Sequence, residues 1–193
     1  GGCGFIGTAL VNRLQTGFPN LVIRVLDNLT SVTQADGSTY VGDVHDWNHH
    51  SFAGSDIDLI VGDVRDLETV NLAARGCKAI VHLAANTGVA PSVRDPQMDM
   101  NMSVNGTLHV LEAASAQGSQ TIVHASSGAP AGAAEPPIHE RSILSPTSPY
   151  GASKLAGEAY CSAYHHSFGL ETVCLRFSNV YGPGSSKKSS VVA

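Results

Sequence analysis

The chain has 193 residues, of which 42% are hydrophobic and 14% charged, with a formal net charge of -5. That size suits one core burying about two-thirds of its unfolded surface, and the low charge content points to a well-buried sheet. No basic run exceeds Lys187-Lys188, no apolar run approaches the roughly 20 residues of a membrane span, and no signal-peptide pattern opens the chain, so neither nucleic acid nor membrane is expected as a partner and the expected setting is cytoplasmic.

Taken in order, the first element is a glycine turn, "GGCGFIG", followed by a helical pattern over 5 to 16. Val- and Ile-rich runs then alternate with helical patterns. Strands are expected at 21 to 27, 56 to 63, 78 to 85, 120 to 127 and 171 to 178, and helices at 66 to 75, 99 to 117 (with Gly118 as a stop) and 148 to 168. Such alternation indicates βαβ units and a parallel sheet with helices on its faces, a Rossmann-type doubly wound α/β fold. Residues 28 to 55 lack periodicity and read as a long excursion with a short strand around Tyr40-Val41. Residues 128 to 147 read as an irregular functional loop.

Gly1, Gly4 and Gly7 lie three apart. Glycines so placed let a chain turn tightly, approach a pyrophosphate and pack the helix on the sheet, while the helix N-terminus at Phe5-Ile6 offers amides and positive dipole to phosphates. The spacing departs from GxGxxG, and glycine-rich turns are common, so an ordinary tight turn stays open. Asp27 ends the next strand, where a carboxylate can accept from adenosine ribose hydroxyls and would repel a 2'-phosphate, which favours NAD over NADP; the plain reading is a turn cap before Asn28. Asp63-Val64 can hold adenine through a carboxylate and an adjacent backbone N–H, or form a simple turn.

Tyr150 and Lys154 stand four apart in "SPYGASKLAGEAY", on one face of a helix. A phenol is a poor base at neutral pH, and a nearby ammonium favours its phenolate. Ser126 and Ser127 end the "QTIVHASS" run, at the sheet edge where ligands bind. Ser127 is the one expected to share a substrate oxygen with Tyr150, and Ser126 to satisfy a loop carbonyl.

These stretches, with "LDN", "GDVRD", "HLAA", "GTLHVLEAA" and "LRFSNVYGPG" in the same order from end to end, resemble the extended short-chain dehydrogenase/reductase family, the NAD-dependent epimerase/dehydratases of nucleotide sugars, with the UDP-glucose 4-epimerase-like members nearest. The resemblance implies that Gly1, Gly4, Phe5 and Ile6 hold the NAD pyrophosphate, Asp27 and Asn28 the ribose, and Asp63 and Val64 the adenine. It implies that Leu83, Ala84 and Ala85 line the cofactor, and that Lys154 holds the nicotinamide ribose while Ser127, Tyr150 and Lys154 carry catalysis. Asn179 would contact the sugar-nucleotide phosphate. Ala131 replaces the family's usual Tyr before Gly132, and Ser103 stands where the family has Asn. A homodimer through the helices at 99 to 117 and 148 to 168 is implied by analogy.

The expected reaction is transient oxidation at sugar C4 and return of hydride to the opposite face, on a UDP-sugar. Gly128 and Ala129 stand where 4,6-dehydratases carry an Asp-Glu pair, which disfavours dehydration; a dehydratase or reductase of the same family and a non-catalytic NAD-binding module are the alternatives. Thr87, Ser92 and Arg94 are open to substrate contact or to loop polarity, with Thr87 the stronger candidate. His45, His49, His50 and His165-His166 lack a completing ligand, so no metal is expected. The four cysteines, without CxxC spacing, are expected to be reduced packing residues, Cys3 a small filler in the turn. Residues 1–178 are expected to form the NAD-binding domain and 179–193 the start of a substrate region; the opening glycines and the abrupt end read as those of an internal fragment lacking its first strand and most of its substrate domain.

Overall fold

The computed structural model describes residues 1–29, 57–86 and 88–183. The strand expected around Tyr40-Val41, His45, His49, His50 and Thr87 lie outside the described residues.

The described chain runs α1 (Phe5–Gly17), β1 (Ile23–Asp27), β2 (Ile57–Val61), α2 (Leu67–Ala74), β3 (Ala79–His82), α3 (Val89–Arg94), α4 (Pro96–Met100), a π-helical turn (Asn101–Asn105), α5 (Gly106–Gln117), β4 (Thr121–Ser127), a 3-10 turn (Ala129–Ala131), α6 (Pro149–Phe168) and β5 (Glu171–Phe177). All strand pairs among these are parallel. β1 pairs with β2, and β4 lies between β3 and β5, with His82, His124 and Cys174 in register across the three strands. The turn at Gly1 connects the two groups: its nitrogen donates to Leu26 O at 2.8 Å, while a Cβ on Gly1 would collide with the backbone nitrogen of Ala84. Gly2 likewise packs so closely that a Cβ would reach Val25 Cγ1 at 2.6 Å.

Burial explains the layers. Ile23 and Val25 of β1 alternate with Arg24 and Leu26, sending the first pair toward α1 (with Cys3 and Val11) and Leu26 toward a second core. That second core gathers Val70 and Ala74 of α2, Val110, Leu111, Ala113 and Ala114 of α5, Ile122 of β4 and Cys161 of α6. Helix α1 therefore covers one face of β1 and β2, and α2, α5 and α6 the opposite face of the parallel strands, while Val81, Val173 and Leu175 stand exposed on the other face of β3–β5; this is the Rossmann-like arrangement expected. Arg24 closes the end of α2: Nε binds Asp58 at 2.6 Å and Nη1 donates to Ala73 O and Arg75 O.

The helix stops follow local chemistry. Gly118 (φ 68°) and Gly169 (φ 71°) end α5 and α6 in the left-handed region. Asp66 and Ser148 cap α2 and α6 through their side chains, and Pro149 opens α6 where a missing N–H is harmless. The expected helix at 99 to 117 begins earlier, at Pro96 behind the cap Asp95, and is broken by the π-helical turn; α3 stands where a loop was expected. β3 ends at His82, short of the expected Ala85, because Leu83 and Ala84 leave the sheet to pack on Gly1. Among the described residues no helix is long and apolar enough to cross a membrane.

Two imidazoles lie inside this frame. His82 and His124 are buried with ring centroids 5.5 Å apart; His82 Nε2 pairs with Thr107 Oγ1 at 3.1 Å, and neither nitrogen of His124 has a hydrogen-bond partner. Burial, reinforced by Lys154, lowers His124 from 6.5 to about 4, and burial drives His82 lower than its ordinary value too. The unfolded chain then binds protons that the folded chain refuses, so stability is complete above pH 6.5 and declines as pH falls toward 4. Urea unfolding midpoints should drop across that window, and the drop should be shallower in His124→Gln. Leu111, which has no exposed surface, should lose about 2–5 kcal/mol on truncation to Ala, read from the same unfolding curves.

Candidate active site

The glycine turn is held from below by Asp27. Cys3 N donates to Asp27 Oδ2 at 3.0 Å and Leu29 N to Oδ1 at 2.9 Å, so this carboxylate organises both the turn and the exit of β1. Oδ2 also lies 3.2 Å from the Gly1 nitrogen, and Oδ1 keeps lone-pair capacity for a further donor. Gly4 begins α1 with extended backbone and no side-chain cap, and Gly7 is packed so tightly on the turn that a Cβ would meet Gly1 O and Gly2 O at 2.5 Å. A backbone with no room for a Cβ at Gly1, Gly2 or Gly7, ending in a helix N-terminus, fits a pyrophosphate. Cys3 is fully buried and its thiol is pushed up to about 11 by burial and then by Asp27, which makes it an inert filler.

Asp63 stands beside this turn with its carboxylate engaged inside the protein. Oδ1 accepts from Arg65 N and Nε, and Oδ2 from Arg65 Nη2 and Asn28 Nδ2. These donors, the Arg65 guanidinium foremost, hold it well below the usual carboxylate range. Val64 is buried, and its carbonyl accepts from His109 Nδ1 at 2.9 Å. Leu83, Ala84 and Ala85 lie half-buried between β3 and the turn, with Ala84 in contact with Gly1.

Ser127, Tyr150 and Lys154 converge at the carboxyl end of β4. Ser127 Oγ accepts from Ala129 N at 3.1 Å and acts on the Tyr150 phenol to favour its ionised form. Lys154 is 5% exposed; its Nζ donates to Ala125 O at 2.7 Å and lies 5.9 Å from the centre of the Tyr150 ring. Burial brings Lys154 down to about 8, against the opposing pull of Asp99. Burial likewise raises Tyr150 above its ordinary 10, Ser127 lowering it and Asp99 adding to the rise. The hydroxyl of Ser127 is thus the group that eases ionisation of the phenol in this geometry.

Ser126 faces the other way and donates to Glu158 Oε1 at 2.5 Å, a carboxylate rather than the loop carbonyl expected. Arg176 grips the same carboxylate through Nε (2.9 Å) and Nη2 (2.7 Å), joining β4, α6 and β5. Two further close contacts press α6 onto the strand end: a Cβ on Gly151 would meet Ala129 O at 2.8 Å, and one on Gly157 would meet His124 Nε2 at 2.6 Å.

The remaining sequence candidates are spread around this centre. Ser92 is fully buried, donating to Val89 O and accepting from Tyr150 N at 3.0 Å, so it holds the start of α6 instead of facing outward; Arg94 is exposed at the end of α3. Asn179 is exposed just after β5, and Ala131 is buried before Gly132. Ser103 lies buried within the π-helical turn with its Oγ unpartnered. His165 bonds Leu170 O at the end of α6, and none of the four cysteines is in a disulfide.

Sequence reasoning missed Asp99, Asn86 and Ser153. Asp99 is completely buried, accepting from Asn86 Nδ2 at 3.1 Å and Ser153 Oγ at 2.6 Å. The available signal was a carboxylate between Met98 and Met100, one turn into a helix whose cap, Asp95, had itself gone unread.

Relatives share this architecture. The chain is 36% identical over 187 residues to UDP-glucose 4-epimerase of Mycolicibacterium smegmatis, covering 95% of this chain and 55% of that protein. It is 34% identical over 191 residues to dTDP-glucose 4,6-dehydratase of Streptomyces niveus, covering 95% and 53%. Among solved structures, the Thermus thermophilus UDP-glucose 4-epimerase complex with NAD matches with a TM-score of 0.78 at 36% identity, over 95% of this chain and 55% of that one. The dTDP-glucose 4,6-dehydratase of Streptomyces venezuelae, with NAD bound, matches with a TM-score of 0.81 at 32% identity, over 94% and 55%. The chain therefore spans about half the length of the relatives it matches. With the family model for NAD-dependent epimerases/dehydratases matching residues 1–193, this chain belongs to the NAD-dependent epimerase/dehydratase family.

Proposed function

We propose that the protein is an NAD-dependent nucleotide-sugar epimerase acting at C4 of a UDP-sugar. The observation that carries the reading is the meeting of Ser127, Tyr150 and Lys154 at the carboxyl end of β4, one strand away from the glycine turn. Bound NAD supplies a hydride acceptor and donor for the sugar carbon. Gly1, Gly4 and the first-turn amides of Phe5 and Ile6 are assigned to its pyrophosphate, Asp27 and Asn28 to the ribose, and Leu83, Ala84 and Ala85 to its wall. Because the Asp63 carboxylate is engaged by Arg65 and Asn28, adenine is assigned to the backbone at Asp63-Val64.

Tyr150 Oη takes the proton from the C4 hydroxyl and gives it back after hydride has returned to the other face. Ser127 Oγ steadies the same oxygen, and Lys154, anchored on Ala125 O, is assigned to the nicotinamide ribose. Thr87 and Asn179 are assigned to substrate. Dehydration would require an acid and a base at C5 and C6. Gly128 and Ala129 follow Ser127 without a carboxyl group, and this weighs against that outcome although dehydratases are among the relatives. A cytoplasmic homodimer is the setting and assembly expected by analogy with the family.

Supplied separately with UDP-glucose and UDP-galactose, the complete protein should interconvert them, as followed by NMR. Release of a keto sugar without interconversion would replace the epimerase reading with a dehydratase or reductase. Tyr150→Phe should cut turnover by about 100-fold or more while leaving NAD binding intact by calorimetry; an unchanged rate would remove Tyr150 from the mechanism, and absence of turnover in the unmutated protein with NAD bound would favour a binding module.

A further inference from the structure

Among the described residues, Asp99 is buried without an ion-pair partner at hydrogen-bond distance: Asn86 and Ser153, the two groups that bond it, are both neutral. A buried carboxylate is tolerated when its hydrogen bonds are made and a counter-charge stands within reach. Ser153 is the residue beside Lys154, α4 packs directly on α6, and Asp99 acts electrostatically on both Lys154 and Tyr150. We propose that Asp99 is a positioning residue for the Tyr150–Lys154 pair, a fixed negative charge buried behind it and tied to the same helix through Ser153. The inference deepens the epimerase reading and rests on Tyr150 and Lys154 being its proton-handling groups.

The neighbouring charges leave this role to Asp99. From β3 and β4, His82 and His124 face Lys154 as imidazoles whose burial disfavours protonation, and on α6 Glu158 is neutralised by Arg176. The Asp99 charge opposes proton loss from both members of the pair. It keeps Lys154 an ammonium against burial, and it holds back the Tyr150 phenolate until a ligand can favour it. Both titrations feel the same Asp99 charge, so removing that charge moves both in one direction.

The sign of the test follows. In Asp99→Asn the amide can still bond Asn86 or Ser153 while the charge is gone, so Tyr150 and Lys154 both lose protons more readily. The acid and alkaline limbs of the kcat/KM profile should shift down together by about one pH unit. The ultraviolet phenolate titration of the substrate-free complete protein, referenced to Tyr150→Phe, should shift the same way. This second readout needs no turnover, so it tests Asp99 even if UDP-sugars prove not to be substrates. Ser153→Ala keeps the charge and loses one bond; its limbs should stay in place. A uniform loss of rate in Asp99→Asn, with limbs and phenolate titration unmoved, would overturn the proposal. Should Asp99→Asn fail to fold, 13C NMR of aspartate-labelled unmutated protein decides: the Asp99 carbon must show a carboxylate shift throughout the active pH range, and a carboxylic-acid shift there overturns the proposal.

Discussion

The ammonium of a lysine that is 5% exposed has to be answered by its surroundings, and the hydrogen bond that answers Lys154 goes to a carbonyl, Ala125 O, near the end of a strand. That bond is possible only if α6 lies almost on the backbone of β4. Most of the site can be understood as what keeps it there. The bidentate grip of Arg176 on Glu158, with Ser126 sharing the same carboxylate, ties helix and strand through partly buried charges, where such pairs are stronger than on open surface. Ser92 holds the first turn of α6 through the Tyr150 amide, so the phenol enters the site from a fixed backbone.

The cofactor side is built with similar closeness. Asp27 accepts the Cys3 and Leu29 amides, and the turn it organises leans on Leu83 and Ala84 across the sheet. A carboxylate expected to serve a ribose thus also serves the loop that would bring the ribose to it. Asp63 illustrates the converse: a residue of the right type at the right strand end, its oxygens already occupied by Arg65 and Asn28. Residue type and spacing mark where a carboxylate stands, whereas its spare lone pairs depend on neighbours that meet it only in the fold.

That difference explains what was legible. The parallel strands were readable as Val/Ile-rich runs, and α6 because Ser148, Pro149 and Gly169 mark both ends. Helix α3 was not, since Gly88, Pro91 and Pro96 around it look like loop chemistry, although proline is acceptable in a first turn. The π-helical turn at Asn101–Asn105 left no trace in the apolar spacing of the segment. Tyr150 and Lys154 share one helix face and announce themselves locally. Asp99 meets Ser153 across 54 positions of sequence, and its burial is created entirely by the packing of α4 on α6.

Gly157 gives the closeness of helix and strand a further meaning. It faces the ring of His124 with no room for a methyl group, and the same ring lies against His82. The helix therefore rests on an aromatic surface at a point where its own surface is a single hydrogen atom. Such a contact works as a mechanical stop: α6 cannot sink closer to the sheet, and a side chain added at this point would lift the helix and carry Lys154 away from Ala125 with it. The clearance of Lys154 is thus gauged one turn further along the helix, by a residue with no side chain of its own.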